Sequence, residues 1–269
     1  MLKDITLGQY FPGNSVVHRL DPRTKILMVV IYIVALFMAK GVLSYGLLLA
    51  FLVTAVKLSK VGAKAILRGM KPVLFILVFT GLLNLFYNTT GTILWQWGIL
   101  TISTGGLKTA FFMVVRIMML ISGTFLLTYT TSPILLTDGI ENLLAPLKKL
   151  HVPVHELAMM MSIALRFIPT LIEETDKIMS AQKARGADFD SGNLLDKAKA
   201  LIPLLVPLFV SAFRRADELA TAMECRCYHG GEGRTRLRRL EYHTNDYITL
   251  ALGLILLAVV IAIAFGLGL

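Results

Sequence analysis

Apolar residues dominate residues 26–39, 42–56, 72–87, 106–130 and 247–269. Each stretch is close to the roughly 20 residues that a helix needs to cross a hydrocarbon core about 30 Å thick. Taken as one helix, residues 26–56 would run about 46 Å at 1.5 Å per residue, too long for one crossing. Taken as two, they form a hairpin that turns at Lys40 and Gly41. Charge placement decides between the two. Arg19, Arg23 and Lys25 precede the pair, and Lys57, Lys60, Lys64, Arg68 and Lys71 follow it. Basic flanks favour the cytoplasmic side, so both clusters share that side only if the chain crosses twice. The pattern predicts five spans, with the N-terminus in the cytoplasm and the C-terminus outside. The third span exits into an almost uncharged loop, 88–105, whose Trp95 and Trp97 suit an outer aromatic belt. Asn88-Thr89-Thr90 in that loop has the spacing of a glycosylation acceptor and reads as an uncharged turn.

Residues 131–244 break the pattern. Ser132-Pro133 is a helix-start signal, and a short amphipathic stretch follows over 135–150, stopped near Pro153. Two long helical patterns come next, at 154–186 and 194–228, and they share one layout. The first has an apolar half, LAMMMSIALRFIPTLI, and then a charged half, EETDKIMSAQKARG; the second pairs LIPLLVPLFVSAF with RRADELATAMECRC. Apolar halves of this length suit an interfacial or protein-buried helix better than a span. Pro169, Pro203 and Pro207 fall inside these patterns and predict kinks. The fold expected is an all-α membrane protein of about five transmembrane helices plus a cytoplasmic or interfacial coupling domain of long kinked helices. Its divisions are 1–130, the N-terminus and first four spans; 131–244, the coupling helices; and 245–269, the last span.

Composition agrees: 56% of the 269 residues are hydrophobic, 16% are charged, and mean hydropathy is +0.71. The net charge of +10 is uneven. Residues 1–130 hold twelve Lys/Arg against two Asp/Glu, whereas 131–244 hold fifteen against fourteen. A basic excess flanking apolar spans reads as topology and contact with anionic lipid; nucleic-acid binding would need a basic face on a soluble module. The polar first 25 residues do not resemble a secretory signal. Cys225 and Cys227 point apart on a helix and form no disulfide framework. His151 and His155 have a metal-like spacing, but Pro153 between them opposes one continuous helix. Glu173, Glu174 and Asp176 lack a matched histidine or nucleophile and read as a solvated helix face. Gly230 to Thr235 is glycine-rich but lacks the lysine of a nucleotide loop. With Arg234, Arg236, Arg238 and Arg239 it reads as a linker ahead of the last span. The methionines, Met159 to Met161 among them, read as core filler or as an adaptable surface. Arg116, inside the fourth apolar run, either faces the protein interior or snorkels to a surface.

The ends of the two long helices align. Ala184-Arg185-Gly186 matches Cys225-Arg226-Cys227: a small residue, an arginine, a small residue. One such copy is an ordinary helix end, where arginine meets the negative dipole terminus and glycine takes the left-handed cap. Two copies in parallel positions suggest insertion into partner grooves, each guanidinium taking a carboxylate bidentately.

Across essentially its whole length the sequence resembles the transmembrane T component of energy-coupling factor (ECF) transporters, the EcfT/CbiQ family. The resemblance rests on Leu20-Asp21-Pro22-Arg23-Thr24-Lys25, Thr131-Ser132-Pro133, Pro146-Leu147-Lys148, Arg166-Phe167-Ile168-Pro169 and Ala184-Arg185-Gly186. It implies a non-catalytic scaffold, without cofactor or metal, in the cytoplasmic membrane of a prokaryote. Its partners would be the lipid bilayer, two ABC-type ATPase subunits (EcfA and EcfA'-like) and a membrane-embedded S component that captures a vitamin or metal ion. Ala184, Arg185 and Gly186 would dock one ATPase, and Cys225, Arg226 and Cys227 the other. Met159, Met160, Phe167, Leu204, Leu208 and Phe209 would contact the S component. In the second tip cysteines replace the alanine and glycine of the family motif, so Arg226 carries over more directly than its neighbours. The rival reading is a stand-alone secondary transporter, which would need ionisable groups and broken helices at the midplane.

Overall fold

The computed structural model describes residues 10–87, 91–97, 100–187, 189, 193–231 and 240–266. Its helices are α1 (Val16–Arg19), α2 (Pro22–Met38), α3 (Gly41–Ser59), α4 (Ala63–Met70), α5 (Leu74–Tyr87), α6 (Thr104–Thr130), α7 (Pro133–Leu144), α8 (Val154–Ala184), α9 (Leu194–Glu224) and α10 (Thr244–Gly266). Short 3-10 turns at Lys71–Val73 and Ala145–Leu150 join α4 to α5 and follow α7. Local chemistry sets the boundaries. The Asp21 side chain accepts from the Arg23 N–H and Pro22 opens α2, whereas Ser103 caps α6 through the Gly106 N–H. The turn between Met38 and Gly41 confirms the hairpin expected at Lys40.

Among the described residues five helices are long and apolar enough to cross a membrane: Gly41–Ser59, Ala63–Tyr87, Thr104–Thr130, Val154–Ala184 and Thr244–Gly266. The protein is therefore an all-α integral membrane protein, but the set differs from the one expected. The first apolar run folds as the 17-residue α2, about 26 Å long and at the short limit for a crossing. α8 qualifies because helix continues without a break through Pro169 and adds the charged half to the apolar half. Within the expected outer loop, β1 (Ile93–Trp97) pairs antiparallel with β2 (Leu100–Ser103). In β2, Leu100 to Ser103, apolar and polar residues alternate as a strand allows, a pattern the absence of charge did not suggest. The sequon at 88–90 and the arginines at 234–239 lie outside the described residues.

Two compact units emerge, residues 10–139 with 240–266, and residues 140–231. The first boundary falls within α7, nine residues after the expected start of the insert at 131. In the first unit α2, α3, α6 and α10 enclose a core of Tyr32, Ala35, Leu36, Leu48, Met119 and Val260. A Cβ on Gly253 would lie 2.5 Å from the Met28 Sδ, so α10 approaches α2 closely only because that position is glycine. Large apolar side chains such as Phe75 (78% exposed) and Phe111 (64%) face outward, as lipid-facing helices require. Arg116, near the middle of α6, turns inward: its Nε donates to the Tyr45 hydroxyl at 2.7 Å, and its guanidinium lies 5.8 Å from both the Phe37 and Tyr45 rings.

Candidate functional site

The second unit carries both arginine tips, and each ends its helix in the same way. At the end of α8, Ala187 N–H donates to Gln182 C=O and Gly186 N–H to Lys183 C=O, both at 3.0 Å. At the end of α9, Tyr228 N–H donates to Met223 C=O at 3.0 Å and Cys227 N–H to Glu224 C=O at 2.8 Å. Both are Schellman caps, with the arginine as the last half-helical residue and the next residue left-handed. That residue is Gly186 at φ +88° in one tip and Cys227 at φ +55° in the other. A Cβ on Gly186 would meet nothing within 4 Å, so this chain requires glycine there for backbone conformation, not for space. Cys227 adopts the same region with a side chain, which costs about 1 kcal/mol. Ala184, Arg185, Gly186, Cys225, Arg226 and Cys227 are all exposed. Among the described residues no acceptor pairs with either guanidinium, and the planar fork of each suits a planar anion.

Upstream of the tips the two helices are clasped. The Glu174 carboxylate of α8 accepts from Arg215 Nη2 of α9 at 2.5 Å and, through its other oxygen, from the Ser211 hydroxyl. Glu174 is therefore not part of a purely solvated face: helix pairing puts a partner opposite it, which a single helical pattern cannot reveal. The apolar halves leave Leu201, Ile202, Leu205, Val206 and Val210 exposed. Of the residues assigned to S-component contact, Met160 (55%) and Phe209 (61%) are exposed, and Met159, Phe167 and Leu208 are half-buried. Leu204 is buried at 3% and presents no surface, because it falls on the inward side of α9. His155 Nδ1 contacts Glu141 at 3.0 Å, while His151 sits before α8 in a left-handed turn, so the two histidines do not share a helix face.

In the first unit, the motif at residues 20–25 forms a polar junction. Lys25 Nζ donates to the carbonyls of His18 (3.1 Å) and Thr130 (2.9 Å) and to Thr131 Oγ1 (3.2 Å), tying the start of α2 to the end of α6. Asp246, fully buried at the start of α10, accepts from the backbone N–H of Asp21 and of His243, both at 2.8 Å. Arg23 pairs with Asp21 and lies 3.9 Å over the Tyr242 ring. Two segments of the family motif, at residues 20–25 and 131–133, meet here. Asp246 carries only a weak signal in the sequence, an acid in the first turn of a span.

These features define a helical integral membrane protein whose second unit displays two matched, exposed arginine tips. The chain matches the CbiQ family, described as cobalt transport protein, over residues 13–237. It is 53% identical over 98% of its length to a protein of Ruminiclostridium cellulolyticum, covering 99% of that protein, and 55% identical over 98% to one of Acidaminococcus fermentans, covering 97%. A Bacillus subtilis relative is 52% identical over 91% of this chain and 93% of its own. Each of the three is named energy-coupling factor transporter transmembrane protein EcfT. The chain belongs to this EcfT/CbiQ family.

Proposed function

We propose that the chain is the membrane scaffold of an ECF-type importer. It joins two cytosolic ABC-type ATPase subunits to a membrane-embedded S component and passes ATP-driven motion to it for uptake of a vitamin or metal ion. The observation that carries this reading is the pair of tips: two exposed arginines at equivalent positions of identical helix caps. Each guanidinium inserts into one ATPase and pairs with a carboxylate there. The chain supplies no catalytic group of its own; the ATPases hydrolyse ATP. The apolar surfaces around Met160 and Phe209 face the S component. Basic clusters flank α2 and α3; they support an N-terminus in the cytoplasm and, with α2, α3, α4–α5, α6 and α10 as the crossings and α8 held on the cytoplasmic side, a C-terminus outside. The rival secondary transporter would use Arg116 at the midplane, but that guanidinium is committed to Tyr45 and packed against Phe37.

Arg185→Ala combined with Arg226→Ala tests the docking. Losing one desolvated charge pair costs about 2–5 kcal/mol, at least about thirtyfold in affinity. ATPase copurification and substrate uptake should both collapse in the double variant and fall partially in each single one. Retention of both by the double variant would overturn the proposal.

A further inference from the structure

Arg185 follows Glu174 by eleven residues, and Arg226 follows Arg215 by the same eleven. The ion pair that joins α8 to α9 therefore lies equally far from both tips. At 1.5 Å per residue each arm is about 16 Å long, and eleven residues close to within about 20° of three full turns. Clasp and tip thus share one face on each helix. Both arms are unbroken helix from the clasp to the cap, and all three prolines (169, 203 and 207) lie on the N-terminal side of the clasp.

From this geometry we infer that Glu174 and Arg215, with Ser211, form the pivot that sets the distance between the two arginine tips. The three are positioning residues: they need touch neither ATP nor substrate. Two stiff arms of equal length joined at one charged point turn relative motion of the tips into rotation of α8 against α9. Their apolar halves, on the far side of the pivot, receive that rotation. The Glu174 carboxylate suits this use, because it holds Arg215 with one oxygen and Ser211 with the other and can keep hold of α9 as the crossing angle changes. A packed apolar contact would favour one angle. The use of this pivot rests on the docking proposed for the tips, but the tip separation itself does not.

The test measures the separation directly. In the full-length chain with Cys225→Ala and Cys227→Gly, spin labels placed at Ala181 and Thr221, both exposed and four and five residues ahead of the tip arginines, report the tip-to-tip distance by pulsed electron resonance. With the clasp intact the distribution is narrow; Glu174→Ala or Arg215→Ala broadens it. Glu174→Gln, which keeps an acceptor for Ser211 but loses the ion pair, broadens it less. The swap Glu174→Arg with Arg215→Glu narrows it again. In the assembled transporter with its native cysteines, Glu174→Ala retains both ATPases yet loses uptake by at least about fivefold, the lower end of typical coupling between sites. An unchanged distance distribution in Glu174→Ala overturns the inference, and so does a broadened one that the charge swap fails to narrow. Failure of docking alone would appear instead as retained ATPases in the arginine double variant, with the clasp measurements unaffected.

Discussion

Cys227 occupies, at φ +55°, a conformation that its counterpart Gly186 adopts without penalty. The same cap thus forms from two different residues, and the difference is measurable. Cys227→Gly should stabilise the end of α9 by about 1 kcal/mol and slow exchange of the Tyr228 amide, whose hydrogen bond to Met223 closes the cap. Gly186→Ala should cost a similar amount at the end of α8 and speed exchange of the Ala187 amide. The arginines and their alignment were legible in the sequence, because the two helix ends repeat within one insert. That the caps are the same in hydrogen bonding was not, because cysteine is not a residue from which a left-handed position is read.

Among the helices, buried polar contacts fix the pairing more specifically than apolar surface does. α6 and α3 are joined by Arg116 and Tyr45, and α2 is joined to α6 and α10 by Lys25 and Asp246. In a membrane, burying apolar side chains against other helices gains little over burying them in lipid, so such contacts and close packing carry much of the specificity. Tyr45→Phe leaves the Arg116 guanidinium without its hydroxyl acceptor and should lower stability in detergent by about 1–2 kcal/mol, read as a lower unfolding temperature. Arg116→Met with Tyr45→Phe should recover part of that loss, since no charge is then left unpaired. The position of Arg116 within its span is legible in the sequence, but its direction is not. Periodicity fixes which face of a helix a residue occupies, not which helix stands opposite it.

For the whole molecule, the orientation proposed from the basic clusters can be checked on the native thiols. Cys225 and Cys227 are both exposed. In right-side-out vesicles a membrane-impermeant maleimide should leave them unmodified, and in inverted vesicles it should label both; labelling from the outside would reverse the assigned topology. The sequence by itself determined the class of protein, the hairpin at Lys40, the two long helices and the repeated arginine ends. Each is set by local periodicity, by chain length against bilayer thickness, or by charge beside an apolar run. Only the tertiary structure decided that Lys25 reaches the end of α6, that Leu204 is buried while Phe209 is exposed, and that Glu174 meets Arg215. Those facts depend on which helices are neighbours, and residues far apart in the chain become partners only when packing brings them together. The two arginine tips stand at both levels: the sequence gives their spacing, and the ion pair upstream joins them.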